Sequence, residues 1–498
     1  MTAKTLMVQG TMSSAGKSLL VTALCRIFAR RGVRVAPFKA QNMSNNAAVC
    51  ADGGEIGRAQ YTQALACGIE PTTDMNPVLL KPEADARSQV IVNGRVWETL
   101  PARDYYERKQ MLWENVSAAL DRLRDEYELI IMEGAGSPVE LNLKRGDIVN
   151  MAVAKYAQSP VLLAGDIDRG GIFAQLLGTL DLLEPDERTL VKGLIVNKFR
   201  GDPTLFEDGI EILEQRGGVP VLGVLPYIKD HGMPEEDAVA IEGPEGIAQR
   251  DTVDIAVIRL PRISNFDDFD PLASEAGVTV RYVASEAAFG KPNAVILPGT
   301  KSTIADMQWL QMRGLDEAVK AAAERGAAVV GICGGYQMLG NTITDMQSVE
   351  SDLPSIAGMG LVNSETRFRT QKSTQRTKAT IRSKIAWLAA LNGQTVTGYE
   401  IHMGQTTPHS LHDYPHWLHT ESRGDGAISA DGRIWGCYLH GLFENEAFRR
   451  AWLHSLGWKG SNTPQPTFAQ RIDRLADHVE AALNMERLMQ ITGITAPR

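Results

Sequence analysis

TLMVQGTMSSAGKS, residues 5–18, reads as an apolar strand, a Gly/Ser-rich turn and the first residues of a helix. Backbone N–H groups of such a turn, set at a helix N-terminus, cradle phosphates; a lysine neutralises the β/γ charge and a serine hydroxyl reaches Mg²⁺. Gly10, Thr11, Ser14, Gly16, Lys17 and Ser18 are therefore the candidate nucleotide-binding residues. Five residues separate Gly10 from Gly16, one more than the strict Walker spacing. Working outward, short apolar runs recur at 33–38, 129–132, 161–164, 194–196 and 221–225, with amphipathic stretches such as 19–31 and 106–126 between them. Strands that alternate with helices imply a parallel sheet covered on both faces, with ligands at the carboxyl ends of the strands.

Strand ends supply the remaining candidates for this half. Mg²⁺ takes oxygen ligands and few carboxylates. Ser18 is the first candidate ligand, Glu133 at the end of IIMEGAGSP the second, and Asp52 in ADGGEIGRAQ the third. Asp52 reads equally well as a turn former before Gly-Gly. Asn197 closes the strand in GLIVNKFRGD, and GDIDRGG places Arg169 where it can meet a phosphate or a carboxylate.

A second signature lies at 327–340, AAVVGICGGYQMLG: a strand, a Gly-flanked cysteine and a helix. Small neighbours permit the strained turn, and helix N–H groups favour the thiolate. Cys333 is the candidate nucleophile. His440, in WGCYLHGLFEN, is the candidate base. An ATP site and an amidase site on one chain point to amide formation: glutamine yields ammonia, and ATP activates a carboxylate to receive it. Histidines 409, 412, 416 and 419 read as a solvated loop rather than a metal site, because prolines interrupt them and no cysteine joins them.

The chain has 498 residues, 44% of them hydrophobic and 22% charged, as in soluble globular enzymes with two or three domains. A net charge of -9 argues against general nucleic-acid or anionic-membrane binding. No secretory signal and no membrane-spanning stretch is legible, and five cysteines without paired spacing fit a reducing cytoplasm. The expected domains are 1–232 for the ATP-dependent half, an acidic linker at 233–251, a second α/β unit at 252–448, and a helical extension at 449–498. In the second unit, strands are expected at 255–260, 278–283, 294–297 and 329–332. Antiparallel strands are expected near 358–369 and 395–402, and one amphipathic helix over 468–491.

The GTMSSAGKS loop resembles that of dethiobiotin-synthetase-like ATPases. The wider order GTMSSAGKS, FKAQNMSNNA, DGGEIGRAQ, MEGAGSP, NLKRGDIVNM, GDIDRGGIF, NKFRGD, LPGTKST, GICGGYQMLG, GYEIHMG and YLHGLF is similar to the cobyric acid synthases, glutamine-dependent amidases of cobalamin biosynthesis. The resemblance covers nearly the whole chain. It implies a dethiobiotin-synthetase-like P-loop domain followed by a class I glutamine amidotransferase-like α/β domain. It also implies ATP and Mg²⁺ as cofactors, L-glutamine as donor, and amidation of carboxylates b, d, e and g of adenosyl-cobyrinic acid a,c-diamide. Asn197 becomes an expected adenine contact, and Gly299, Gly334, Gln337 and His402 expected glutamine contacts. A polyanionic corrinoid needs cations, for which Lys39, Arg58, Lys81, Arg87 and Arg169 are the candidates. Most class I amidotransferases carry Glu two residues after the catalytic His; here Leu442 stands there, so Glu444 or another acid is left to orient His440, or none does. The rival readings are an amidase acting on cobyrinic acid itself or on a cell-wall carboxylate, and a P-loop switch ATPase with an inactive amidase-like domain.

Overall fold

Six apolar runs become β1 (Lys4–Gly10), β2 (Val35–Phe38), β3 (Leu129–Glu133), β4 (Val161–Asp166), β5 (Val191–Phe199) and β6 (Val221–Pro226). The computed structural model describes residues 2–84, 87–229, 231–234, 236, 241, 252–412, 414–460 and 465–494. The six strands form one parallel sheet in the order β6-β5-β4-β1-β3-β2. The chain leaves β1 toward β2 and β3 on one side, then toward β4–β6 on the other. The loop after β1 thus faces the switch point, where open parallel sheets bind ligands. Helix α1 (Lys17–Arg30) starts at that loop and buries Leu20, Val21, Leu24, Ile27 and Phe28 against one face of the sheet.

Between β2 and β3 lies an insertion absent from the sequence-level pattern. It holds a small hairpin (Ala47–Val49 with Glu55–Gly57), helix α2 (Arg58–Cys67) and a four-stranded sheet of residues 41–43, 78–84, 87–92 and 95–101. The helix expected over 106–126 is divided into Ala102–Arg108 and Trp113–Glu126, joined by a 3₁₀ turn at Lys109–Leu112.

A second parallel sheet contains β7 (Val253–Ile258), β8 (Val278–Val283), β9 (Ala294–Leu297), β10 (Ala328–Ile332) and, later in the chain, Ile434–Cys437. Its order is β8-β7-β9-β10-(434–437), with a short antiparallel edge at 427–428. Helix α3 (Gly334–Leu339) follows β10 directly. The expected antiparallel pair is longer than the sequence suggests: β11 (Ser364–Ile381) and β12 (Thr395–Pro408) form a long hairpin with a bulge between Phe368 and Ser373. It reaches the first half, where Arg376 Nε donates to Val49 O at 2.9 Å and Lys372 pairs with Glu55 at 2.5 Å.

The segment grouped as a helical extension from 449 divides its packing between the two cores. Helix Glu446–Ser455 buries Phe448, Trp452 and Leu453 in the second core. Helices α4 (Phe468–Ala482) and α5 (Met485–Thr492) return to the first, with Ile472, Leu475, Val479 and Leu488 on α1 and the sheet. The opposite edge of α4 sets Asp473, Asp477 and Glu480 against Arg26, Arg30 and Arg31 of α1. The single helix expected over 468–491 breaks because Asn484 caps α5, accepting from Arg487 N at 3.0 Å, while its own N–H donates to Leu222 O. Most of the expected linker at 233–251 lies outside the described residues.

Candidate active sites

The loop after β1 closes around its lysine. Ser14 and Gly16 both have positive φ (58° and 90°), and a Cβ at Gly16 would collide with Asn197 Nδ2. Lys17 Nζ donates to Met12 O (2.9 Å) and Gly136 O (3.2 Å), so the ammonium is curled inside the loop. Thr11 Oγ1 donates to Gln175 Oε1, Lys198 Nζ to Ser14 O, and Asn197 Nδ2 to Ala15 O at 2.8 Å. The expected adenine contact Asn197 is thus engaged in bracing the loop itself.

At the carboxyl ends of β1 and β3, Ser18 Oγ donates to Glu133 Oε1 at 2.9 Å, and Gln63 Nε2 donates to Glu133 Oε2 at 2.7 Å. Lys39 Nζ sits 2.8 Å from the same Glu133 Oε1 and 2.9 Å from Glu236 Oε1. Glu236 Oε2 lies 2.8 Å from Ser18 Oγ as well, so the two carboxylates compete for the one hydroxyl proton. Burial lowers the Lys39 ammonium, but Glu133 and Glu236 outweigh it and hold its pKa above the usual lysine range. Burial raises the Glu236 carboxyl, and Lys39 more than offsets that. A hydroxyl and a carboxylate already set against a cation form the oxygen donor set Mg²⁺ prefers, so Ser18 and Glu133 fit that ion. Asp52 does not join them. It is exposed at the tip of the 47–57 hairpin, where Oδ1 accepts from Gly54 N at 2.9 Å: the turn-forming role.

In the second half, parallel pairing of β10 with 434–437 sets Ile332 beside Cys437, and Cys333 N donates to Cys437 O. Residues following two adjacent parallel strands emerge together, which brings Cys333 and His440 into hydrogen-bonding reach. Cys333 has φ 50° and ψ −108°, a strained elbow for a non-glycine residue. Gly335 must lack a side chain, since a Cβ would collide with Leu297 O; at Gly299 it would lie 2.8 Å from His440 Cε1.

His440 is fully buried, and its Nδ1 lies 2.7 Å from Asp268 Oδ2, while Asp268 Oδ1 accepts from Gly441 N at 2.8 Å. Burial lowers the imidazole pKa, but Asp268 and Cys333 push it up to about 10. Asp268 is the acid that sequence reasoning misses. Glu444, the nearer candidate, is directed at Arg58 (3.4 Å) with its side chain 62% exposed.

A cavity of about 50 Å³ adjoins the thiol, lined by Cys333, His440, Gln337, His402, Lys81 and Lys372. Gly334 and Thr300 also border it or its wall, and Gln337 Oε1 accepts from Thr303 Oγ1 at 3.0 Å. His402 stacks on Tyr438 at 3.9 Å and is held by Gly404 O and Glu400. All four expected glutamine contacts therefore gather at the elbow or within contact of His440.

The five expected corrinoid cations are not brought together. Lys39 lies in the P-loop cluster. Lys81 pairs with buried Glu55 at 2.5 Å and lines the Cys333 cavity. Arg58 pairs with Asp267, behind His440. Arg87 faces Glu83 at 3.3 Å, and Arg169 is largely exposed beside Asp166. A larger cavity, about 1140 Å³, opens between the halves beside Arg58, Tyr61, Tyr399 and Arg376. Arg58, Arg376, Arg449 and Arg450 in its lining are paired with acids, whereas among the described residues Lys378 and Arg471 make no ion pair, so positive charge is left unmatched on this wall.

Comparison with known proteins agrees with this two-site arrangement. Residues 6–238 match the family model of the CobQ/CobB/MinD/ParA nucleotide binding domain, and residues 254–448 that of the CobB/CobQ-like glutamine amidotransferase domain. A cobyric acid synthase of Chloroflexus aurantiacus is 57% identical, covering 98% of this chain and 100% of that protein. One from Chloroflexus aggregans is 56% identical over 99% and 100%, and one from Herpetosiphon aurantiacus 54% identical over 99% of each. With a nucleotide-binding half, a glutamine amidotransferase half and relatives of this identity along its whole length, the chain belongs to the cobyric acid synthase family, glutamine-dependent amide-forming ligases of cobalamin biosynthesis.

Proposed function

We propose that this chain amidates the b, d, e and g side-chain carboxylates of adenosyl-cobyrinic acid a,c-diamide, using ATP and glutamine. The observation that carries the reading is that the Cys333 cavity is walled partly by Lys81 of the nucleotide-binding half. The thiol site therefore adjoins the other half, which supports a reading in which ammonia passes from one site to the other. The working halves are taken as 1–232 and 252–448, joined through 233–251.

At the first site, the γ-phosphoryl of ATP passes to a corrinoid carboxylate oxygen, giving an acyl phosphate and ADP. Hydroxide is a poor leaving group and phosphate a good one, which is why the activation is needed. Lys17 neutralises charge on the transferring group. Ser18 and Glu133 would hold Mg²⁺, which when bound offsets the negative charge of the phosphates. Lys39 keeps the Glu133 carboxylate oriented.

At the second site, the Cys333 thiolate attacks the glutamine side-chain carbonyl. His440 passes a proton to the departing ammonia, leaving a glutamyl thioester that water hydrolyses to glutamate. Asp268 fixes the imidazole orientation and favours its protonated form. Ammonia attacks the acyl phosphate carbon and expels phosphate, completing the amide. Gly299, Gly334, Gln337 and His402 shape the glutamine pocket.

The test is incubation of the purified protein with the a,c-diamide, ATP, Mg²⁺ and glutamine, followed by mass spectrometry of the corrinoid. Four added amides are expected. No added amide on the diamide, with cobyrinic acid supplied in a parallel incubation amidated at a and c instead, would overturn the assignment.

A further inference from the structure

Two lines of contact run from the nucleotide-binding half to His440, and both begin at Arg58, the first residue of α2. Along the first, the buried guanidinium pairs with Asp267. The next residue, Asp268, holds both the His440 ring and Gly441 N. Along the second, the guanidinium lies 5.6 Å from the centroid of Tyr399. Tyr399 in turn stacks on the His440 ring at 5.3 Å and 19°, and the two backbones exchange hydrogen bonds in both directions. Among the described residues no other donor bonds either Asp267 oxygen.

We propose that Arg58 is a positioning residue for the glutaminase base, so that the Cys333 site of one half is completed by a guanidinium of the other. The charges explain why. Asp267 and Asp268 are adjacent buried carboxylates, each matched by one cation: Arg58 for the first, the His440 imidazolium for the second. Without Arg58, Asp267 is left uncompensated beside Asp268, and its charge disturbs the Asp268 carboxylate that accepts from His440 Nδ1 and orients the ring. Glu444, 3.4 Å from Arg58 on the cavity side, adds a further negative charge that the guanidinium offsets. The inference rests on Cys333 and His440 acting on glutamine as proposed above.

The experiment compares full-length wild type with Arg58→Gln, Asp267→Asn and the double variant. Glutamine hydrolysis is followed as kcat/KM against pH, and amidation with ammonium salt is measured in parallel. Arg58→Gln should lose about tenfold or more in glutamine hydrolysis, with a displaced pH profile, and keep ammonia-supported amidation. The double variant should recover to within about threefold of wild type, because the uncompensated carboxylate is gone. Arg58→Lys, checked for folding by circular dichroism, should fall between the two. Wild-type hydrolysis in Arg58→Gln, or a double variant no better than the single, would overturn the role. So would a loss seen equally with ammonia and as a raised corrinoid KM, which would make Arg58 a substrate contact. A Cys333→Ala variant that still hydrolyses glutamine would instead overturn the reading beneath it.

Discussion

The P-loop site and the Cys333 site both stand at the carboxyl ends of parallel strands, yet they are assembled differently. Every described group in the first comes from the nucleotide-binding half and the few residues after it: Ser18, Lys39, Gln63, Glu133 and Glu236. The second combines an elbow cysteine, a histidine after a neighbouring strand and Asp268, and it leans on Arg58 and Lys81 of the other half. The borrowing runs one way. On the proposed function, glutamine hydrolysis should then depend on contacts from the nucleotide-binding half, whereas the synthetase reaction should accept ammonia from any source.

That asymmetry gives the largest expected effects. Lys17→Ala should abolish amidation with either donor, because both routes share the activated carboxylate. Cys333→Ala should abolish glutamine hydrolysis and glutamine-supported amidation yet keep amidation from ammonium salt at raised pH. Turnover like wild type in Lys17→Ala, or ammonia-supported amidation missing in Cys333→Ala, would break the comparison.

Next in size is Asp268→Asn, which sharpens the same contrast. The imidazole is held at about 10 with Asp268 among the causes, so a neutral amide there should release its proton at lower pH. Glutamine hydrolysis should fall about 10²–10⁴-fold, with its alkaline limb moved to lower pH, while ammonia-supported amidation is spared. The check is a pH–rate profile with each donor; an unmoved limb would separate His440 from Asp268.

Glu133→Gln should have a narrower consequence. One carboxylate charge leaves the Ser18–Lys39 cluster, and the Mg²⁺ concentration for half-maximal amidation should rise at least about tenfold. Glutamine hydrolysis measured alone should stay put. An unchanged Mg²⁺ titration would take the ligand role away from Glu133; the exposed turn position of Asp52 leaves Glu236 as the next carboxylate to test.

The sequence makes the local parts of both sites legible and hides the distant ones. Lys17 and Cys333 sit in turns whose glycines are required by collisions a Cβ would cause, and such requirements leave a mark within a few residues. Asp268 is separated from His440 by 172 residues. Its stretch, Asn265–Asp270, offers three aspartates with nothing in the spacing to select one. Glu236 is hidden for a similar reason, in an acidic stretch without periodicity. The length of β11 is concealed by its middle, TQKSTQRTK, which carries no apolar alternation because the hairpin there meets polar groups of the other half. Charge alone misleads about the cations: Lys39, Arg58 and Lys81 suggest a polyanion, but burial and ion pairing commit each to a carboxylate of the chain itself.

The smallest expected effect on catalysis, and the one that tests the docking of the halves, concerns Glu55. This carboxylate is buried between Lys81 of its own half and Lys372 of the long hairpin, both at 2.5 Å. Burial raises its pKa, but Lys372 and Lys81 outweigh that and hold it at about 2, against an ordinary 4.5. A carboxyl depressed on folding stabilises the native state fully above its unfolded value and loses that contribution as pH falls through the folded one. The window is therefore from about 4.5 down to about 2. Glu55→Gln leaves two buried ammonium groups without their counter-charge, at a cost of about 3–5 kcal/mol near neutral pH. Thermal unfolding of the wild type and Glu55→Gln across that range should show a gap that is widest above pH 4.5 and closes as the medium is acidified. Ammonia-supported amidation at neutral pH should change little. Glutamine-supported amidation should fall modestly, because Lys81 and Lys372 also wall the Cys333 cavity. A stability gap that stays constant with pH would mean that Glu55 is not the charge that joins the hairpin to the nucleotide-binding half.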